Sequence, residues 1–366
     1  MLPVPPKGGP PPRCDALVSS RTVSEIGEHA LITRITARLA MPSWVVIGPG
    51  DDAAVIEPER GALDVLTTDA VIDGVHFDTA FVSPQDIGHR ALAVNLSDLA
   101  AMGAMPRAAL LSLVLPGRMA VSDVDGIVDG LLALAATHRV ALIGGNITRS
   151  PGPLMIDVTA IGSVRQRRVL TRAGARPGDE VYVTGSIGAA LVGLRCLQSG
   201  ANLSGSPRGP EGSAPHMERY ARPTPRVRAG MLLGRNRAAS ACMDLSAGLA
   251  DGLRQIAAAS HVGITVDADC IPFAPGVLEF HRSRGDDPIA AALSGGDDYE
   301  LLFTVRASQR SRLRAVRSQV GDLPITKIGV VTRSGVTKRD ATQAPPVVVR
   351  TPDGERDLPA GFEHFR

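Results

Sequence analysis

Aromatic side chains are scarce in this 366-residue chain: one Trp, three Tyr and seven Phe make up 3% of it. A surface of stacking platforms for single-stranded nucleic acid is therefore not expected. The interior has to be built from the aliphatic part of the 44% apolar content. Cysteine is equally sparse. Cys14, Cys196, Cys242 and Cys270 lie far apart with no Cys-x-x-Cys pair, which argues against a zinc site or a disulfide framework and fits a reducing cytoplasm. No run approaches the eighteen or so apolar residues of a membrane span, and Met1–Arg13 has no apolar signal core. Excess charge is missing too. The net charge of +2 from 39 basic and 37 acidic residues gives no footprint for a phosphate backbone, so neither nucleic acid nor membrane is an expected partner.

What is present is length, glycine and well-spaced aspartate. A chain of this length exceeds what one core usually serves, so two domains are expected. Residues 1–20 read as a Pro/Gly-rich tail, 21–165 as a first domain, and 166–366 as a second with a flexible loop over 199–215. Strand-like and helix-like runs interleave in both halves, giving an α/β (α+β) class. A helix is expected over Glu25–Leu39, a strand over Ala62–Leu66 delivering Thr67, Thr68 and Asp69 at its end, and a long helix over Asp86–Met102. Ala141-Leu142-Ile143 reads as a strand entering a Gly144-Gly145 turn.

Asp51-Asp52, Asp69, Asp73, Asp98, Asp244 and Asp297-Asp298 each follow or interrupt an apolar run. Singly, each is an ordinary turn or cap residue. Together they suit Mg²⁺, a hard cation held by a few carboxylates and the substrate's phosphates. The Asn95-Leu96-Ser97-Asp98 turn stands out, because three polar side chains on an apolar helix are costly to bury without partners. A buried hydrogen-bond network would satisfy them, and so would a metal on Asp98.

In order, Gly50-Asp51-Asp52-Ala53-Ala54, Thr67-Thr68-Asp69, Gly74-Val75-His76-Phe77, Asn95-Leu96-Ser97-Asp98-Leu99-Ala100-Ala101-Met102-Gly103, Gly144-Gly145-Asn146-Ile147-Thr148-Arg149, Leu170-Thr171-Arg172, Asp244-Leu245-Ser246, Ser294-Gly295-Gly296-Asp297-Asp298-Tyr299-Glu300-Leu301 and Gly361-Phe362-Glu363-His364-Phe365 resemble the thiamine-monophosphate kinases of the aminoimidazole-ribonucleotide-synthetase-like superfamily. The resemblance implies a two-domain fold whose N-terminal domain forms a dimeric barrel-like sheet, followed by a C-terminal α/β domain. It also implies a homodimer that uses ATP and several Mg²⁺ ions to phosphorylate thiamine monophosphate. Carried over by position, Asp52, Thr67, Thr68, Asp69, Asp98 and Asp244 match metal ligands, with Asp69 and Asp98 indispensable. Gly145, Asn146, Arg172 and Ser246 fall at nucleotide-binding positions, and His76, Asp297 and Phe362 at substrate-binding ones. The chain departs from the family at Asn146 and Ala247, where carboxylates are usual, and at Asp297, where Glu is usual. A homologue that binds nucleotide or thiamine phosphate without turnover fits those departures. Another synthetase of the superfamily is the remaining alternative.

Overall fold

A computed structural model describes residues 21–201, 213–334 and 346–360. The expected tail, the core of the 199–215 loop and Phe362 lie outside the described residues. The first part of the chain gives α1 (Val23–Ile26), α2 (Glu28–Thr36), β1 (Val45–Ile47), β2 (Val55–Ile56), β3 (Leu63–Ile72), α3 (Pro84–Ala101), β4 (Met105–Pro116), α4 (Val121–His138), β5 (Ala141–Ser150) and β6 (Met155–Val164). The second gives β7 (Glu180–Thr184), α5 (Ala189–Gln198), α6 (Ala214–Ala221), α7 (Val227–Asn236), β8 (Ala241–Asp244), α8 (Leu249–Ser260), β9 (Gly263–Asp267), α9 (Val277–Ser283), α10 (Pro288–Ser294), β10 (Leu301–Val305), α11 (Arg310–Arg317), β11 (Ile325–Thr332), β12 (Val347–Thr351) and β13 (Gly354–Asp357).

The expected helix over Glu25–Leu39 is broken at Gly27, whose φ of 79° ends α1 and starts α2. The α3 helix begins on a Ser83 cap that accepts the Asp86 amide at 3.2 Å, with Pro84 in its first turn, where the missing N–H is harmless. It is buried nearly all round because it has neighbours on every side. A Cβ on Gly88 would stand 1.8 Å from the Ile127 carbonyl of α4, and one on Gly230 of α7 would stand 1.9 Å from the Ala100 carbonyl. Glycine thus lets α3 touch one helix from each half of the chain.

Strands β3-β6-β4-β5 form a four-stranded sheet in that order, antiparallel except for the β4–β5 pair. A seven-stranded sheet runs β13-β12-β9-β11-β7-β10-β8, with only β9–β12 parallel. Neither is closed. The edge strands β3 and β5 do not pair with each other, nor do β13 and β8, so the barrel-like N-terminal sheet expected from the resemblance is not what the chain builds. Closure would need the edge strands to tilt and stagger into hydrogen-bonding register. Instead the β3 edge leaves Leu63 48% and Leu66 66% exposed.

The C-terminal sheet alternates as strand geometry requires. Val181, Val183, Met243 and Leu302 pack with Leu253 and Ile256 of α8, while Tyr182, Cys242, Leu301 and Phe303 join a core that continues into α3, α5 and α7. The two sheets therefore share an interior, and α3 runs through it.

Candidate functional site

Strand β3 does not end where its apolar pattern does. All ten of its residues pair with β6, so Thr67, Thr68 and Asp69 sit in mid-strand and alternate between faces. Thr67 Oγ1 donates to Asp98 Oδ2 of α3 at 2.5 Å, whereas Thr68 Oγ1 donates to Asp157 Oδ1 of β6 at 3.1 Å. The sheet thus divides the predicted ligands into two groups.

On the helix face, Asp69 and Asp98 meet Asp244, the last residue of β8. Buried Ser97 donates to Asp244 Oδ2 at 2.7 Å, so both Ser97 and Asp98 of the α3 polar turn are partnered. Asn95 gives its amide to the Ala91 carbonyl at 3.1 Å, but its buried Oδ1 has no partner. Desolvation, then the charges of Asp98, Asp244 and Asp157, push Asp69 up to about 7. Burial, then Asp98, pushes Asp244 to about 6, against the opposing pull of Ser97 and Arg172. Among the described residues no group of three or more His, Cys, Asp or Glu forms a ready metal cage. The donors are nevertheless hard oxygens with too little positive charge nearby, which suits Mg²⁺ completed by phosphate oxygens.

A pH dependence follows. Because Asp69 and Asp244 titrate above the ordinary carboxylate value of 3.8, the folded metal-free protein binds more protons than the unfolded chain between about pH 4 and 7. Stability from this source is present at low pH, falls as pH rises through that window, and is fully lost above it. Added Mg²⁺ is expected to raise Tm more at pH 8 than at pH 5.5, where protons occupy the same oxygens. Equal shifts at the two pH values in a thermal melt would contradict the assignment.

The opposite face of the sheet opens into a cavity of about 730 Å³, lined by the Gly48–Ala54 loop, α2 and the strands. Asp52 and Asn146 line it, and Asp69, Asp98 and Asp244 do not. Ser112 of β4 is in register with Asn146 on one side and Asp157 on the other, so three polar side chains cross the sheet in a row. Asp157 had been missed. Its signal was a single carboxylate in the apolar and hydroxyl run Leu154–Val164. The Gly144-Gly145 pair is not a turn: β5 passes straight through it after a register shift at Ile143, and a Cβ on Gly145 would lie 1.9 Å from the Leu111 carbonyl.

Arg172 and Ser246 are both exposed beside β8. Arg172 donates to Gln255 of α8 at 2.6 Å, and the Ser246 carbonyl accepts the Asp297 amide at 2.8 Å. Gly296 belongs to this contact, since a Cβ there would come within 2.5 Å of the Ser246 carbonyl. Of the acidic residues that follow, only Asp297 is partly open. Asp298 is buried and accepts the Gly188 amide at 2.8 Å at the start of α5. Burial raises it to about 7. Fully buried Glu300 accepts Arg219, Arg226 and Thr184.

Asp297 forms an ion pair of 2.8 Å with Arg90 and accepts the Tyr299 hydroxyl at 3.1 Å. His76 lies in the turn after β3, where its Nδ1 accepts the Ile72 amide at 3.1 Å and so leaves Nε2 protonated in the neutral ring. Arg90 was missed in the sequence, although a cation among Ile87, Ala91 and Val94 marks a buried charge with a partner elsewhere.

The sequence and the fold have known counterparts. The model of the AIR synthase related protein N-terminal domain matches residues 50–164, and that of the C-terminal domain residues 176–340. The thiamine-monophosphate kinase of Bacillus subtilis (strain 168) is 35% identical over 344 residues, covering 93% of this chain and 99% of that protein. A crystal structure of thiamine-monophosphate kinase from Stenotrophomonas maltophilia K279a superposes with a TM-score of 0.75 at 40% identity, over 88% of this chain and 96% of that one. AaThiL complexed with AMPPCP and TMP superposes with a TM-score of 0.71 at 31% identity, over 93% of this chain and 98% of that one. With relatives matched over nearly their whole length and both domain models in place, the chain belongs to the thiamine-monophosphate kinase family of AIR synthase related proteins.

Proposed function

We infer that this chain transfers the γ-phosphoryl group of ATP to thiamine monophosphate, giving thiamine diphosphate. The observation that carries it is the meeting of Asp69, Asp98 and Asp244, from a strand, a helix and a second sheet, with Thr67 and Ser97 holding two of them. A relative complexed with AMPPCP and TMP supports the choice of substrates. The acceptor oxygen of a phosphate monoester is already anionic, so a general base has little to do. The task is to align phosphates that repel one another. Bound Mg²⁺ would supply charge neutralisation across the phosphates.

Asp69, Asp98 and Asp244 would hold that metal on the helix face, with Thr67 fixing Asp98. Asp52 and Thr68 would contribute from the cavity face, where Asp157 adds a carboxylate. Gly145, Asn146, Arg172 and Ser246 are assigned to the nucleotide, and His76, Asp297 and Phe362 to thiamine monophosphate. We take residues 21–165 as the nucleotide- and metal-binding half and 166–366 as the half that completes the site. A cytoplasmic homodimer is part of the proposal. Val46, Ile47, Val55, Leu63 and Leu66 are exposed apolar side chains on β1, β2 and the open edge strand β3, and a second copy of the chain would cover such residues. No described helix is long and apolar enough to cross a membrane. The reaction is tested by following ADP release from MgATP: release should depend on thiamine monophosphate, and release without it, or with thiamine in its place, would contradict the assignment.

The two departures have separate surroundings. Asn146 stands in the polar row with Ser112 and Asp157, and Ala247 lies beside Ser246 near Asp244. Each lacks a charge that would face a dication, so a high Mg²⁺ requirement is expected of the native chain. In the double variant Asn146→Asp/Ala247→Asp the Mg²⁺ concentration for half-maximal rate should fall severalfold. An unchanged requirement would mean that the two substitutions are compensated elsewhere in the site.

A further inference from the structure

The turn after β3 and the loop before β10 flank the acidic cluster from opposite halves of the chain. The first carries His76, a few residues beyond Asp69. The second carries Asp297, whose neighbour Tyr299 gives its amide to the Leu245 carbonyl next to Asp244. No hydrogen bond between His76 and Asp297 is needed to couple them, because two other residues do so.

Arg90 of α3 is 1% exposed. Its Nη2 pairs with Asp297 Oδ2 at 2.8 Å and its Nη1 donates to the Tyr220 carbonyl at 2.5 Å. The guanidinium carbon lies 4.7 Å from the centroid of the Tyr220 ring, in cation–π range. The Tyr220 hydroxyl in turn donates to the His76 carbonyl at 3.2 Å. We propose that Arg90, with Tyr220 as its platform, is a positioning residue that ties the His76 turn and the Asp297 loop into one acceptor-binding cleft.

Two further features support a positioning role. Arg90 Nε is buried without a partner, so the guanidinium is oriented for Asp297 and Tyr220 at the expense of its own hydrogen bonding. Asp297 and Tyr299 both hold left-handed backbone, with φ of 69° and 50°. Aspartate tolerates that conformation, whereas a tyrosine adopts it rarely, and the Tyr299 amide bond to the Leu245 carbonyl helps to hold it there. The Arg90 pair and the Tyr299 hydroxyl engage both Asp297 oxygens and thereby fix the side chain. Asp297 remains 30% exposed, so a carboxylate held in one orientation stays open to a ligand and would suit a cationic heterocycle.

The inference rests on the proposed kinase reaction for its substrate, and its test separates the two. Steady-state kinetics of Arg90→Lys, Arg90→Met, Tyr220→Phe and Asp297→Asn would be combined with hydrogen exchange of residues 73–77 and 296–300. Arg90→Met is expected to raise KM for thiamine monophosphate about tenfold or more and to leave KM for ATP within about twofold, as for loss of a charged hydrogen bond on one substrate's side. Tyr220→Phe should cause a smaller rise of the same selectivity. Arg90→Met/Asp297→Asn should be no worse than Asp297→Asn alone, because Arg90 acts on the substrate through Asp297. In Arg90→Met, exchange should quicken in both segments together. Equal rises in both KM values, an additive double variant, or quickening confined to 296–300 would overturn the proposal. Should Arg90→Met not fold, Arg90→Lys and Tyr220→Phe decide by the same KM split. If the native chain neither binds nor turns over thiamine monophosphate, the kinase assignment fails, and joint or separate exchange of the two segments still decides whether Arg90 couples them.

Discussion

Asp98→Asn is expected to reduce phosphoryl transfer by about three orders of magnitude, the scale on which loss of one preorganised electrostatic group acts. Asp98 accepts Thr67 at 2.5 Å, adjoins Asp69 and is one of the charges that raise both Asp69 and Asp244. The amide keeps its volume and its place on α3 and removes only the charge. The metal-free variant should therefore be at least as stable as the native chain at pH 8, since a repulsive charge has gone. Loss of rate without loss of Tm is the diagnostic pair. Asp69→Asn should behave in the same way. Rates near the native one at ordinary Mg²⁺, from either variant, would remove the acidic cluster from the chemistry.

Glu300→Ala is expected to act on the fold itself. Glu300 is fully buried and takes Arg219 at 2.7 Å, two bonds from Arg226 at 2.7 and 2.5 Å, and the Thr184 hydroxyl at 2.7 Å. Gly185 makes room for it, as a Cβ there would lie 2.0 Å from Glu300 Oε1. Truncation leaves two guanidinium groups without their counter-charge. Breaking a buried pair costs about 3–5 kcal/mol, and because Arg219 and Arg226 keep some contact with solvent the lower end is expected. Urea unfolding should show this as a lower midpoint at unchanged slope. A midpoint within experimental scatter of the native one would mean that the arginines find other partners.

The parts of the fold legible in the sequence are those whose pattern is local. The α3 helix was marked by its apolar spacing and by Gly103 just past its end. Ser97 and Asp98 of α3 stood out because polar side chains on an apolar helix are costly to bury without partners, and both have them, in Asp244 and Thr67. Thr67, Thr68 and Asp69 were read as a strand end because three polar residues interrupt an apolar run, yet β6 pairs straight through them. The same local bias turned the Gly144-Gly145 stretch of β5 into a turn. Asp157, Arg90 and Tyr220 escaped because their partners, Thr68, Asp297 and His76, are remote in the chain. Sheet closure was carried over from the resemblance alone, and no residue pattern in β3 or β5 required it.

The most direct test of the whole account is product formation by the native chain. Purified protein with MgATP and thiamine monophosphate should generate thiamine diphosphate, detected by thiochrome fluorescence after separation from the substrate, and EDTA should abolish it. No thiamine diphosphate at any Mg²⁺ concentration, with thiamine monophosphate still bound, would contradict the kinase assignment and favour a homologue that holds the ligand without turning it over.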